Sequence, residues 1–184
     1  MIIRRRAIVL VVPMAIIGAV AGAGLVVRAQ ETLRITPSVR DKRVVVSFEL
    51  KDAFSPAVRE GIASGLRTTF SYDLELRTVV PAWIDRTIAR VTVTTSDQFD
   101  NLTRRHTLTR TVDGRVEDVL VTEDESAVRS WLTSWTRVPI CDTSKLDATR
   151  DYYVHITTRA RPVGGSLLGL TRSVSGSAKF TFIP

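Results

Sequence analysis

The chain has 184 residues, 44% of them hydrophobic and 24% charged, with 10 Gly and 7 Pro. This composition excludes a disordered, collagenous or multi-span membrane chain. The formal charge of +7 invites a nucleic-acid reading, but Arg4, Arg5, Arg6 and Arg28 supply four of those charges, leaving +3 spread over alternating signs. Without a basic run or an aromatic stacking array, no nucleic-acid partner is expected.

Met1 to Arg6 carries three successive arginines, and Ala7 to Val27 follows as 21 residues without a charge. That is the order of the charged and apolar regions of an export signal. Val27-Arg28-Ala29 suits cleavage after Ala29, and the same stretch is long enough to remain as a single transmembrane helix with its arginines cytoplasmic. Both readings stay open, and both expect a domain outside the cytoplasm, either periplasmic or anchored in the inner membrane. Residues 1–29 are therefore set apart from 30–184, which is the size of one domain. The single cysteine, Cys141, cannot form an intrachain disulfide, so stability must come from packing.

Leu33 to Val39 reads as a strand, turned by Arg40-Asp41-Lys42 into a second in which Val44, Val46, Phe48 and Leu50 alternate with Val45, Ser47, Glu49 and Lys51. Ser55-Pro56 is a helix start, and Val58, Ile62 and Leu66 recur every fourth residue on one face, with Gly65 as a stop. Phe70, Tyr72, Leu74 and Leu76 then alternate with polar residues in the clearest strand of the chain. Further strands are predicted at Thr87 to Thr95, Leu102 to Thr111 and Arg115 to Val121, the last two joined by an Asp113-Gly114 turn.

Thr122-Glu123-Asp124-Glu125 predicts a capping box, followed by a helix whose apolar stripe is Val128, Trp131, Leu132 and Trp135. Tyr152 to Ala160 and Ala178 to Ile183 are predicted closing strands, separated by a loop from Pro162 to Gly176 that includes Leu167, Leu168 and Leu170. The fold class expected is mainly β (β-rich α+β), an antiparallel β-sandwich or curved sheet with two short helices after an N-terminal hydrophobic segment.

His106 and His155 are the only histidines, each inside a strand pattern and without Cys or His at ligand spacing. No metal, cofactor or catalytic residue is assigned. The chain has no Gly-x-Ser-x-Gly elbow, Walker loop or HExxH pair. Cys141 is expected to be a small packed residue or a terminal free thiol. Trp83, Trp131 and Trp135 are expected either in the core or lining an apolar groove.

The stretch RVVVSFELKDAFSPAVREGIASGLRTTFSYDLELR, Arg43 to Arg77, resembles the opening of the bacterial envelope family known as domain of unknown function 4390. The similarity continues through Asp113-Gly114, Trp131-Leu132 and Tyr152-Tyr153-Val154. The resemblance implies a periplasmic or membrane-anchored protein of no established activity. Members are often encoded beside a membrane sensor histidine kinase, which implies a signalling or accessory role by association. It carries over no functional residue.

The expected function is a non-enzymatic binding or accessory module of the cell envelope. Its partners would be the inner membrane, if the leader is uncleaved, and a membrane sensor kinase or other envelope protein. The contact surface expected comprises Val58, Ile62, Leu66, Trp131, Trp135, Leu167, Leu168 and Leu170. Two rivals are kept. A carrier of lipid or another apolar ligand requires a cavity with Trp131, Trp135 and Leu167 to Leu170 near its mouth. An unrecognised hydrolase requires His106 or His155 in a cleft within reach of a Ser, a Cys or a carboxylate.

Overall fold

A computed structural model describes residues 33–162 and 172–182. The predicted leader, residues 1–29, and Leu167, Leu168 and Leu170 lie outside the described residues. The order is β1 (Leu33–Arg40), β2 (Arg43–Leu50), α1 (Pro56–Ala63), β3 (Thr68–Thr78), β4 (Arg86–Asp100), β5 (Arg105–Val112), β6 (Arg115–Thr122), α2 (Glu125–Thr133), β7 (Ser134–Asp142), β8 (Tyr152–Pro162) and β9 (Arg172–Phe180). Among the described residues these form two antiparallel sheets, one ordered β1-β2-β7 and the other β6-β5-β4-β3-β8-β9. The mainly β expectation holds, and among the described residues no barrel closes.

The two-residue repeat decides which side chains meet between the layers. Phe70, Tyr72, Leu74 and Leu76 of β3 are buried against Val44, Val46 and Phe48 of β2, and the Phe48 and Tyr72 rings lie 4.8 Å apart. On one flank, Gly176 of β9 admits Leu33 and Ile35 of β1, whose side chains lie 3.4 Å from where its Cβ would stand. Three strands cannot cover six, so α1 and α2, each carrying the chain from one sheet to the other, roof the β4 and β5 end.

The two predicted hairpin turns adopt left-handed pairs, Asp41 (φ 49°) with Lys42 (φ 58°) and Asp113 (φ 46°) with Gly114 (φ 81°), the backbone of a tight two-residue turn. Helix α1 starts as expected, with the Val58 amide donating to the Ser55 hydroxyl at 3.3 Å. It ends at Ala63, where Gly65 turns left-handed (φ 78°) and its amide donates to the Ile62 carbonyl at 2.8 Å. A Cβ at Gly65 would stand 2.9 Å from the Asn101 side chain. Gly65→Ala is therefore expected to cost about 1–2 kcal/mol, read as a lowered urea midpoint.

Four expectations are corrected. Residues 101–104 are a turn, because Asp100 accepts from the Leu102 and Thr103 amides (2.8 and 3.3 Å), so β5 starts at Arg105. The cap of α2 is Asp124, which accepts from the Ser126 amide at 2.8 Å; Thr122 stays in β6, paired with His106. Trp135 belongs to β7, opposite Phe48, and continues no helix. The predicted Pro162 to Gly176 loop is shorter, since β8 runs to Pro162 and β9 begins at Arg172.

The helix breaks before Trp135 because its last carbonyls are taken. The Thr133 and Ser134 hydroxyls donate to the Arg129 and Ser130 carbonyls (2.8 and 2.7 Å), and those of Tyr72 and Thr95 donate to the Leu132 carbonyl (2.6 and 3.2 Å). Strand β7 is an edge with irregular register against β2, which accommodates Pro139.

Candidate functional site

Strand alternation places His106, Leu108, Arg110 and Val112 on the inner face of β5, and Val93, Thr95, Asp97 and Phe99 on that of β4. Two charged residues and a histidine thus lie under the helices. Arg110 is the easier to explain. Its guanidinium lies between the Trp131 and Trp135 rings (4.2 and 4.8 Å) and donates to the Trp131 and Ser134 carbonyls (3.1 and 2.7 Å). A cation there satisfies the negative end of α2 and holds both tryptophans in the core.

Toward the other end of the same face, a cleft of about 450 Å³ opens between α1 and α2. Ile62, Ala63 and Arg59 come from α1, Val128 and Glu125 from α2, Phe99 from β4 and His106 from β5, with Phe54, Arg104 and Glu123 at the connections. His106 Nδ1 is 2.9 Å from Oδ2 of Asp97, a carboxylate with no solvent exposure. Burial pushes the Asp97 carboxyl up, partly offset by His106. Asp97 Oδ1 has no hydrogen-bond partner among the described residues. The His106 ring also lies against Phe99, 4.5 Å between centroids, and the Arg104 guanidinium covers Phe99 at 5.3 Å.

The second feature at this corner is the edge strand β6, which leads through Glu123 into α2. Nothing pairs with its outer side among the described residues, and neither the second sheet nor a helix covers it. Val116, Val119 and Val121 are 63%, 53% and 55% exposed, and Leu120 is exposed beside them. Since neighbours in a strand point to opposite faces, both faces of this edge carry apolar side chains, Leu120 on one and Val119 and Val121 on the other.

The predicted contact residues are divided by the structure. Ile62 is buried and borders the cleft, Val58 is half-buried against the core and Leu66 is exposed beyond the end of α1. Trp131 and Trp135 are buried on Arg110, away from the cleft lining. Trp83 is outside the core; with Ile84 it stands about four-fifths exposed in the β3–β4 connection, where the two line an open apolar pocket with Ala82.

His155 lies on the outer sheet face, its Nδ1 2.8 Å from the Ser177 hydroxyl, while Glu75 opposite it is bound by Arg77 and Arg90. Cys141 is half-buried, and burial pushes its thiol up. Among the described residues no three His, Cys, Asp or Glu side chains come together as a metal site. Sequence reading treats Asp97, as a pair with Asp100, as a solvated loop acid, whereas it is buried within β4, and it misses the β6 edge. The signals were an acid at an inward strand position and three successive apolar residues, Val119 to Val121, in a strand otherwise mixed with charge.

A family model described as domain of unknown function (DUF4390) matches residues 29–162. The chain belongs to that family. The match spans β1 to the end of β8, so the cleft and the β6 edge fall within the DUF4390 region and β9 beyond it. No curated protein and no solved structure matches the chain. Among the described residues no helix is long and apolar enough to cross a membrane.

Proposed function

We propose that this DUF4390 protein is a non-enzymatic accessory module of the bacterial cell envelope that recognises a protein partner by adding an extended segment of that partner to β6. The observation that carries the reading is the edge itself, an eight-residue strand ending a sheet with apolar side chains on both faces. Such an edge is a template for another strand: backbone bonds supply affinity and alternate side chains supply selectivity.

A second copy fits this edge poorly. A two-fold axis normal to the sheet at Asp118 opposes Asp118 to itself, at Val119 it sets Leu120 against Asp118, and at Leu120 it sets Glu117 against Glu123. A different chain is under no such constraint. The module acts outside the cytoplasm, held at the inner membrane by residues 1–29 or released after Ala29, and a membrane sensor kinase is one partner of the right location. The hydrolase rival keeps its required geometry, since His106 lines the cleft and lies 2.9 Å from the Asp97 carboxylate, while the cleft lining adds no Ser, Thr or Cys among the described residues.

The test is a photoreactive residue placed at Val119 of the full chain in its own cells, with one at Trp83 as control. An adduct with one envelope protein at Val119, absent at Trp83 and lost in Val121→Lys, is expected. A self-adduct alone, or no adduct, overturns the reading. The intact mass of the recovered chain, starting at Met1 or at Gln30, tells whether the leader is retained.

A further inference from the structure

We propose that the cleft between α1 and α2 is a second, separate binding site, for an amphiphile with a single anionic head group. Its floor and walls are apolar where Phe54, Ile62, Phe99 and Val128 meet, and about 450 Å³ is enough for a short acyl or alkyl chain. Its charge is uneven. Arg59 and Arg104 line it without a carboxylate partner among the described residues, whereas Glu123 is engaged by Arg105 at 3.0 Å and only Glu125 stands unpaired on the acidic side.

The independent observation is the buried acid behind the cleft. A carboxylate with no solvent exposure and an unpartnered oxygen is a costly feature for a sheet interior. Among the described residues its one hydrogen bond is with Nδ1 of His106. That bond fixes the ring orientation and leaves Nε2 as the nitrogen open to a ligand in the cleft that His106 lines. A head group set between Arg59, Arg104 and His106 has its tail over Phe99 and Ile62. The guanidiniums supply charge-assisted bonds and the apolar wall supplies burial.

The experiment titrates the full chain in a neutral detergent micelle with dodecyl phosphate and, as separate arms, with inorganic phosphate and with dodecyl maltoside. Binding is read by calorimetry and by amide chemical shifts of the cleft residues. Saturable binding of dodecyl phosphate is expected, weakened at least about tenfold by Arg59→Gln with Arg104→Gln and abolished by Ala63→Trp, which fills the cleft from an exposed helix position. Inorganic phosphate binding as tightly as the amphiphile overturns the proposal in favour of a bare anion site. Dodecyl maltoside binding equally overturns the role of the charge, and absence of binding in all arms overturns the site. None of these outcomes bears on the Val119 adduct, so the two readings fail separately.

Discussion

Arg110→Ala is expected to lower the unfolding free energy by about 3–5 kcal/mol, among the largest effects open to a single side chain here. The loss has two sources. Truncation removes both hydrogen bonds to the Trp131 and Ser134 carbonyls at the end of α2, where an unmet buried acceptor costs about 1–3 kcal/mol. It also removes a cation held between two indole rings at 4.2 and 4.8 Å, a contact worth about 2 kcal/mol when shielded from water. Burial pushes the Arg110 pKa down, opposed by Asp118 and Tyr72, yet a guanidinium stays charged at neutral pH. Arg110→Lys should recover less than half of the loss, because one ammonium cannot reproduce a planar fork stacked on two rings. Urea midpoints at constant slope give both values. A loss below about 1 kcal/mol for Arg110→Ala would mean that the hydroxyls of Tyr72, Thr95, Thr133 and Ser134 alone hold the end of the helix.

The second large effect concerns Asp97 and His106. His106→Ala strips the only hydrogen-bond partner among the described residues from a carboxylate with no solvent exposure, and should cost about 3–5 kcal/mol at neutral pH. His106→Ala combined with Asp97→Asn should cost clearly less, since the stranded charge is gone, and the difference measures the coupling. The pH dependence follows from direction. Burial raises the folded pKa of Asp97 above its unfolded value, and His106 pulls it part of the way back. Stability from the neutral acid is therefore present below the ordinary carboxylate pKa, about 4, and is lost as pH rises through the folded value. In His106→Ala the pull is removed, so stability should fall more steeply from acid toward neutral pH than in the parent chain. The double variant should lack that slope. Urea unfolding at several pH values between about 4 and 8 decides it, and parallel profiles for all three chains would show that Asp97 does not titrate in this range.

The β-rich architecture was readable because its signals are local. Alternation in Phe70 to Arg77 and Val44 to Lys51, the left-handed pair at Asp113-Gly114 and the Ser55-Pro56 start each depend on neighbours within a few residues. Strand β7 was not readable. Trp135 follows Trp131 at helical spacing, and Pro139 argues against a strand. What ends the helix includes the hydroxyls of Tyr72 and Thr95 and the guanidinium of Arg110, which are 60, 37 and 24 residues away from the carbonyls they meet. Strand β9 was half-legible for a related reason. Ser173 to Gly176 carries little apolar alternation, and its place is secured by pairing with β8 and by Leu33 and Ile35 lying over Gly176.

The candidate sites divide in the same way. His106 could be placed on a strand from its surroundings, but its partner Asp97 lies on the neighbouring strand, two residues from Phe99, which pairs with His106, and opposite Leu108, a diagonal that only the β4–β5 register creates. Val119, Leu120 and Val121 announced an apolar strand, while its solitude at the end of a six-stranded sheet follows from strand order. The sequence by itself determined the element types and most of their faces, because backbone conformation and side-chain period are local properties. Only the tertiary structure decided where α2 stops, which acid and histidine meet, and which strand is left without a neighbour. Each of these depends on groups distant in the chain, matched by register and sheet order after the layers come together.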